Sequence, residues 1–122
     1  MMISPNGVVF QPEEGGWEPH PFAAGFERRV LLSKREHGAE VSMCLLRVKP
    51  GARNLEVPEH VHETSDDINY LLSGRCIVVV QGAGEQEMRA GSFICIPKGV
   101  RHRVHSISDD FVLLNQYCPA TY

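Results

Sequence analysis

Two histidines separated by one residue, His60 and His62, are the first side chains in this sequence whose type and spacing suggest chemistry. Residues two apart on an extended chain project from the same side, so both imidazoles can reach one point and bind one metal ion. Such a pair is weak support by itself, because histidines at this spacing are more often exposed or hydrogen-bonded. A metal site requires further ligands elsewhere in the chain.

Two further candidates are Asp67 and His102. Asp67 opens the strand-like run 68–72, where a carboxylate must be paired, hydrogen-bonded or bound to a cation; alternatively, Asp66 and Asp67 cap an exposed turn. His102 follows a turn that reads Pro-x-Gly. Three imidazoles and a carboxylate suit manganese, iron, nickel, zinc, cobalt or copper, whereas calcium prefers more oxygen ligands. The four residues together predict a divalent transition-metal site.

Short strands must position these residues. Apolar and β-branched runs alternate with turns rich in glycine, proline, serine and aspartate, and no long window shows helical periodicity free of glycine or proline. The predicted strands are 27–33, 39–48, 67–72, 75–81, 85–89, 92–96, 102–106 and 111–117. Short strands at regular spacing are typical of a closed barrel or a jelly-roll sandwich, so the predicted fold class is all-β.

The first 26 residues differ from the rest, because they contain four prolines and four glycines. So many prolines and glycines in a short segment disfavour a long helix or a central strand. We therefore expect an extended N-terminal arm over residues 1–26 and a barrel domain over residues 27–122. The arm either covers its own barrel or packs on a second subunit.

Bulk composition excludes several function classes. A chain of 122 residues with net charge −3 fits one domain, and its basic residues form no stripe that would neutralise nucleic-acid phosphates. No apolar run is long enough to span a bilayer, and residues 1–10 lack the pattern of a secretory signal, so we expect a cytoplasmic protein with no nucleic-acid or membrane partner.

The four cysteines are widely separated and contain no Cys-x-x-Cys pair, which favours reduced structural thiols.

Two segments resemble the conserved motifs of the cupin superfamily. Residues 60–74 read His-x-His, four residues, an acid, six residues and Gly; residues 91–102 read Gly, five residues, Pro-x-Gly, two residues and His. The chain is identified by these motifs as a small single-domain cupin, and the resemblance covers about residues 40–117. It implies a double-stranded β-helix, the jelly-roll barrel of cupins, with the N-terminal arm outside the resemblance.

The resemblance assigns the family's metal ligands to His60, His62, Asp67 and His102. Asp67 stands where most members have Glu, which leaves open whether its shorter side chain binds the metal directly or through water. Gly51 lies farther from the first motif than is usual, and Ser106 takes a position that is commonly Asn.

The sequence predicts the function less precisely than it predicts the fold. Cupins include dioxygenases, isomerases, decarboxylases and lyases, so the resemblance implies a metal-dependent enzyme acting on a small polar molecule in the barrel mouth. The alternatives are a non-catalytic module that binds or senses a metal or ligand, and an isomerase that uses His60 and His62 without a metal. No general acid or base stands out in the sequence.

Candidate substrate-binding residues are Arg47, Asn69 and Gln116. Arg47 and Arg53 can each bind a carboxylate with two parallel hydrogen bonds, although a solvated charge at a strand end is the more common role. Asn69 shares the face of Asp67, and either Asn115 or Gln116 must face the interior because adjacent strand residues alternate. We also expect a homodimer, because small barrels commonly cover exposed strand edges with a partner.

Overall fold

The computed structural model describes residues 16–122 and consists almost entirely of β-strands. The elements in chain order are β1 (Glu18–Pro19), β2 (Phe26–Leu32), α1 (Lys34–His37), β3 (Ser42–Val48), β4 (Val57–His60), β5 (Asp66–Ser73), β6 (Arg75–Val80), β7 (Gly84–Arg89), β8 (Phe93–Ile96), β9 (His102–His105) and β10 (Val112–Cys118). The first 15 residues of the predicted arm lie outside the described residues, and the division into arm and barrel stays a prediction.

The strands form two antiparallel sheets. A six-stranded sheet has the order β1-β2-β3-β10-β5-β8, and a four-stranded sheet has the order β4-β9-β6-β7. Side chains from both sheets surround one cavity and one apolar core. This is the all-β jelly-roll barrel that the sequence predicts.

Alternation along the strands separates an inner face from an outer face. In β5, Asp67, Asn69 and Leu71 are buried, whereas Tyr70 and Leu72 keep 42% and 46% of their surface exposed. The same period of two places inner residues of β10 beside inner residues of β5 and β3. A shift of one residue in any of these strands would therefore empty the site.

The first motif ends on Gly74, and the structure shows a steric reason for glycine at this position. Gly74 joins β5 to β6 with φ +87°, a left-handed conformation that favours glycine. A Cβ at this position would lie 2.7 Å from the Cα of Phe111 and 2.8 Å from its nitrogen. Only glycine allows this turn to pack against the chain that leads into β10.

The structure adds elements that the sequence did not predict. The short strands β1 and β4 are new, as is α1, a single turn in which the Ser33 hydroxyl accepts from the backbone N–H of Glu36 and Gly38 takes a left-handed conformation. Within residues 16–122 no helix has the length and apolar character needed to cross a membrane.

Candidate metal centre

Strand pairing within the four-stranded sheet places His60 directly opposite His102. His60 ends β4 and His102 begins β9, and their ring centroids are 4.1 Å apart. His62 follows β4, with its ring 4.9 Å from that of His60 and 5.4 Å from that of His102. The three rings therefore converge from two neighbouring strands and the turn after one of them.

The second motif's turn holds His62 in place. The backbone N–H of Gly99 donates to the carbonyl oxygen of His62 over 2.8 Å, and the N–H of Lys98 donates to Oδ1 of Asp66 over 3.0 Å. Gly99 has φ +82°, so the turn that makes these bonds favours glycine. Asp66 thus has a structural role, whereas its neighbour Asp67 enters the cavity.

The two oxygens of Asp67 have different partners. Oδ1 accepts hydrogen bonds of 2.9 Å from the amide groups of both Asn69 and Asn115, and Asn115 also donates to the side-chain oxygen of Asn69 over 2.8 Å. Oδ2 faces the imidazoles, 3.1 Å from Nε2 of His102 and 3.5 Å from Nε2 of His62. The two amides therefore fix the carboxylate with one oxygen directed at the histidines.

The electrostatics favour positive charge at this point. Burial by itself raises the pKa of Asp67, but its contacts with His102, His62 and Asn69 outweigh burial and hold that pKa well below its ordinary value. Burial lowers the pKa of His102, but the contact with Asp67 outweighs it and raises that pKa above the ordinary value. A buried carboxylate that stays ionised beside imidazoles attracts a proton or a cation.

The ring nitrogens of the histidines are arranged as in a metal site. Nδ1 of His60 lies 2.8 Å from the carbonyl of Pro58, and Nδ1 of His102 lies 3.0 Å from the carbonyl of Val100. A carbonyl oxygen only accepts, so each Nδ1 carries the proton and each Nε2 presents a lone pair. Nε2 of His62 and of His102 are buried, and both face Oδ2 of Asp67, at 3.5 and 3.1 Å.

The donor atoms lie close enough to share one ion. One ligand atom from each of His60, His62, Asp67 and His102 lies within 4.8 Å of all the others. Metal–ligand bonds to nitrogen and oxygen are about 2.0–2.2 Å long, so atoms on opposite sides of an ion are about 4.4 Å apart. The four side chains fit a transition-metal ion with at most a small contraction, and Asp67 is close enough to bind directly.

The cluster opens into a cavity of about 460 Å³. Most of the wall is apolar and comes from the inner faces of both sheets. Members of this wall are Leu46, Cys76, Val78, Met88, Ile94, Phe111 and Leu113. The polar groups beyond the metal cluster and its two asparagines are few, and they include His20, Glu59 and Tyr117.

Tyr117 contacts the cluster directly. It stands opposite Asp67 in the pairing of β10 with β5, and its ring centroid is 4.8 Å from that of His62. Burial, together with the charge of Asp67, raises the pKa of Tyr117 far above its ordinary value. Its phenol therefore keeps its proton at neutral pH.

Of the three predicted substrate-binding residues, only Asn69 lines the cavity. Asn69 lines the cavity, but its side chain is engaged with Asp67 and Asn115. Arg47 and Gln116 do not line the cavity; Arg47 pairs with Glu27 at 2.9 Å and lies 4.1 Å from the ring centroid of Trp17. Alternation is the physical reason, because the inner positions of β3 and β10 are taken by their neighbours Leu46 and Asn115.

Three ionisable residues that line the cavity have no assigned role in the sequence-based prediction. These are His20, Glu59 and Tyr117. His20 lies in the segment rich in proline and glycine, where no periodicity predicts a face. Glu59 precedes the first histidine on a strand that the sequence did not predict. Position 117 was predicted to be in a strand, but the apolar residues of that strand, such as Leu113 and Leu114, fall on both faces, so alternation did not reveal which side Tyr117 takes.

All four cysteines are unpaired. Cys44 and Cys76 are buried and line the cavity, and burial raises the pKa of the Cys76 thiol to about 11. Cys95 and Cys118 are exposed, because they fall on outer or terminal strand positions. The cysteines therefore contribute no ligand to the metal cluster.

Comparison with known proteins agrees with the geometry. The family model described as Cupin domain matches residues 44–115, more than half of the chain. The chain belongs to the cupin family. The matched residues include the histidines and the aspartate that form the cluster, and cupins bind transition metals at such groups.

Two curated relatives are similar in sequence to this cupin. The uncharacterized protein SCO3923 of Streptomyces coelicolor is 33% identical over 79 residues, which cover 65% of this chain and 70% of that protein. The polyketide synthase CurC of Streptomyces cyaneus is 32% identical over 87 residues, which cover 70% of this chain and 54% of CurC. The cupin thus spans only about half the length of CurC.

Solved structures share the fold at lower sequence identity. KdgF from a Halomonas species superposes with a TM-score of 0.76 and 18% identity, over 92% of this chain and 94% of that one. The polyketide cyclase RemF of Streptomyces resistomycificus superposes with a TM-score of 0.74 and 20% identity, over 94% of this chain and 85% of RemF. These likenesses show the fold alone.

Proposed function

We propose that this cupin is a metal-dependent enzyme acting on a small molecule that has carbonyl or enol oxygens on a largely apolar body. The observation that carries the proposal is the position of the histidine and aspartate cluster, which opens into a cavity of about 460 Å³ with mostly apolar walls. Small-molecule sites combine apolar walls with a few placed polar groups in this way.

The apolar walls of the cavity favour a ligand with an apolar body. Leu46, Val78, Met88 and Leu113 offer hydrocarbon surface that excludes water and favours an apolar body. Exclusion of water also strengthens polar contacts at the cluster. A sugar acid, polar on all sides, would leave these walls without apolar contact.

The polar groups supply binding and proton transfer. A divalent ion, when bound, acts as a Lewis acid toward a carbonyl or enol oxygen. The protonated phenol of Tyr117 can donate a hydrogen bond to a ligand oxygen. Glu59, an exposed residue of β4, is one of the residues that line the cavity, and we assign its carboxylate the role of proton acceptor. Asn69 and Asn115 keep Asp67 from rotating.

One curated relative supports this class of substrate, and one protein of the same fold agrees with it. CurC is named a polyketide synthase and RemF a polyketide cyclase. Polyketide chains contain carbonyl groups separated by single carbons, together with extended hydrocarbon or aromatic surface. The proposed reaction therefore begins at a carbon next to a carbonyl, where a base at Glu59 removes a proton.

Turnover of diketones and aromatic ketones by metal-loaded protein tests the proposal. We expect turnover by protein reconstituted anaerobically with iron, manganese or zinc, and at least a hundredfold loss after chelation. Glu59→Gln should lower kcat about a hundredfold, as expected for loss of a general base. The control is Glu87→Gln, on the exposed strand β7.

A different outcome would identify the rival function. Tight binding of these compounds with no turnover by any metal form would indicate a non-catalytic binding module. Equal turnover with and without metal would contradict the metal-dependent mechanism.

We also propose a homodimer that forms through the outer face of the six-stranded sheet. Tyr70 and Phe93 are cross-strand neighbours on β5 and β8, and together with Leu72 they form an uncharged exposed patch beside the edge strand β8. Exposed apolar patches next to an open strand edge favour self-association.

A cytoplasmic location also stays a prediction.

Light scattering at micromolar concentration should give twice the chain mass for the wild type and the chain mass for Phe93→Glu. Ile77→Glu, outward-facing on the other sheet, is the control and should leave the dimer intact. A monomeric wild-type protein would contradict the proposal.

A further inference from the structure

The loop between β1 and β2, residues 20–25, forms one wall of the cavity mouth. His20, Phe22 and Ala23 all line the cavity. The loop is closed by hydrogen bonds from His20 N to Phe26 O over 2.9 Å and from Phe26 N to Ala23 O over 3.2 Å. Its end is attached to the barrel, because the carbonyl of Gly25 accepts from the N–H of Lys49 over 2.9 Å. The loop therefore presents its side chains in a defined position.

The hydrogen bonds of His20 determine which ring nitrogen carries its proton. Nδ1 lies 3.1 Å from the backbone nitrogen of Phe22 and 2.9 Å from that of Ala23, and both N–H groups point to it. A backbone N–H only donates, so Nδ1 is the acceptor and Nε2 carries the hydrogen. Burial lowers the pKa of His20, and Arg28 and His60 lower it further, so the ring is neutral.

The remaining Nε2–H of His20 has no hydrogen-bond partner among residues 16–122. It is a donor on a half-buried ring in the cavity wall, and the ring lies near enough to His60 for the charges of the two imidazoles to interact. A donor held in this way suits an oxygen acceptor on a bound molecule.

Phe22 adds an apolar surface at the same place. Its side chain is 92% exposed although it lines the cavity, and its ring meets that of His20 edge-on with centroids 6.2 Å apart. An aromatic ring so exposed gains contact area when a ligand occupies the mouth.

We propose that the loop 20–25 is a ligand-binding element in which Nε2–H of His20 donates to an oxygen of the ligand and Phe22 covers its apolar part. This inference rests on the proposed function, since the ligand's other oxygen faces the metal cluster. Substrates of this enzyme then need two acceptor oxygens and an apolar or aromatic group that extends toward the mouth.

Nuclear magnetic resonance of ¹⁵N-histidine-labelled, metal-free protein tests the premise without any activity measurement. We expect the couplings of His20 to show a neutral ring with hydrogen on Nε2. A ring with hydrogen on Nδ1 would overturn the proposal, because Nδ1 would then not accept from the loop.

Binding of benzoylacetone to Zn²⁺-loaded protein, followed by calorimetry, tests the role of the donor. His20→Asn keeps an acceptor for the loop N–H groups but does not reach as far as Nε2, so we expect binding about tenfold weaker or more. His20→Gln places a donor near the Nε2 position and should recover part of that loss. His105→Asn, outside the cavity, should bind as the wild type does.

Phe22→Ala tests the aromatic contact. It should weaken binding of benzoylacetone about fivefold or more, while binding of acetylacetone, which lacks the phenyl group, changes less than twofold. If His20→Asn binds benzoylacetone as tightly as the wild type, this inference fails and the proposed function stands. If the wild type binds neither diketone, the proposed function fails and this inference fails with it.

Discussion

We expect that replacing His102 by alanine abolishes metal binding at the cluster of this cupin. His102 is 3% exposed, its ring contacts those of His60 and His62, and its Nε2 lies 3.1 Å from Asp67. Its loss therefore removes one ligand and the shorter of the two imidazole contacts of the buried carboxylate. We expect near-stoichiometric metal in the wild type and below about a tenth of an ion per chain in the variant.

Elemental analysis of protein purified without a histidine tag measures this directly. Both proteins are reconstituted anaerobically with iron and manganese before excess metal is removed. The matched control is His105→Ala, three residues along the same strand and outside the cavity, which should retain metal. Equal metal content in His102→Ala and the wild type would contradict the assigned site.

Asn115→Leu lowers the stability of the fold more than any outward-facing substitution on the same strand. The amide of Asn115 donates to Asp67 and to Asn69, and its oxygen lies 3.8 Å from Sγ of Cys44, which donates to it. Leucine makes none of these bonds and leaves an ionised carboxylate with one donor fewer. We expect the free energy of unfolding to fall by about 2–4 kcal/mol in metal-free protein, because buried partners of a lost polar group stay unsatisfied.

Urea denaturation of metal-free protein checks this value. Gln116→Leu, on the adjacent outward-facing position, is the control and should change the free energy of unfolding by less than about 0.5 kcal/mol. In metal-loaded protein, Asn115→Leu should also weaken metal affinity about tenfold to a hundredfold, because the amide orients the ligating carboxylate. A stability loss equal to that of Gln116→Leu would contradict the structural role of the amide network.

Most strands were predictable because their local signals agree with their environment. Runs such as 76–80 and 93–96 are apolar, and glycine-containing turns bound them. The strand β4 was not predicted, because Pro58 and Glu59 interrupt its apolar pattern and its pairing partner β9 lies far along the chain. Pairing with a distant strand can outweigh a weak local preference.

The four residues of the candidate metal site could be identified from sequence. His60, His62, Asp67 and His102 are recognisable because imidazoles and a carboxylate are unusual at these positions in apolar or extended sequence, and because the glycine turns between them are required by local backbone conformation. Both kinds of signal depend on residues close together in the chain.

The other side chains at the site could be placed only once the strand pairing was known. The last strand is apolar on both faces, so nothing local distinguished Asn115 from Gln116; the pairing of β10 with β3 and β5 puts Asn115 beside Asn69 and Asp67. His20 reaches the mouth because β1 pairs with β2, and no periodicity marks it. The physical reason is that strand pairing joins residues distant in sequence, and the face that each residue takes depends on that partner.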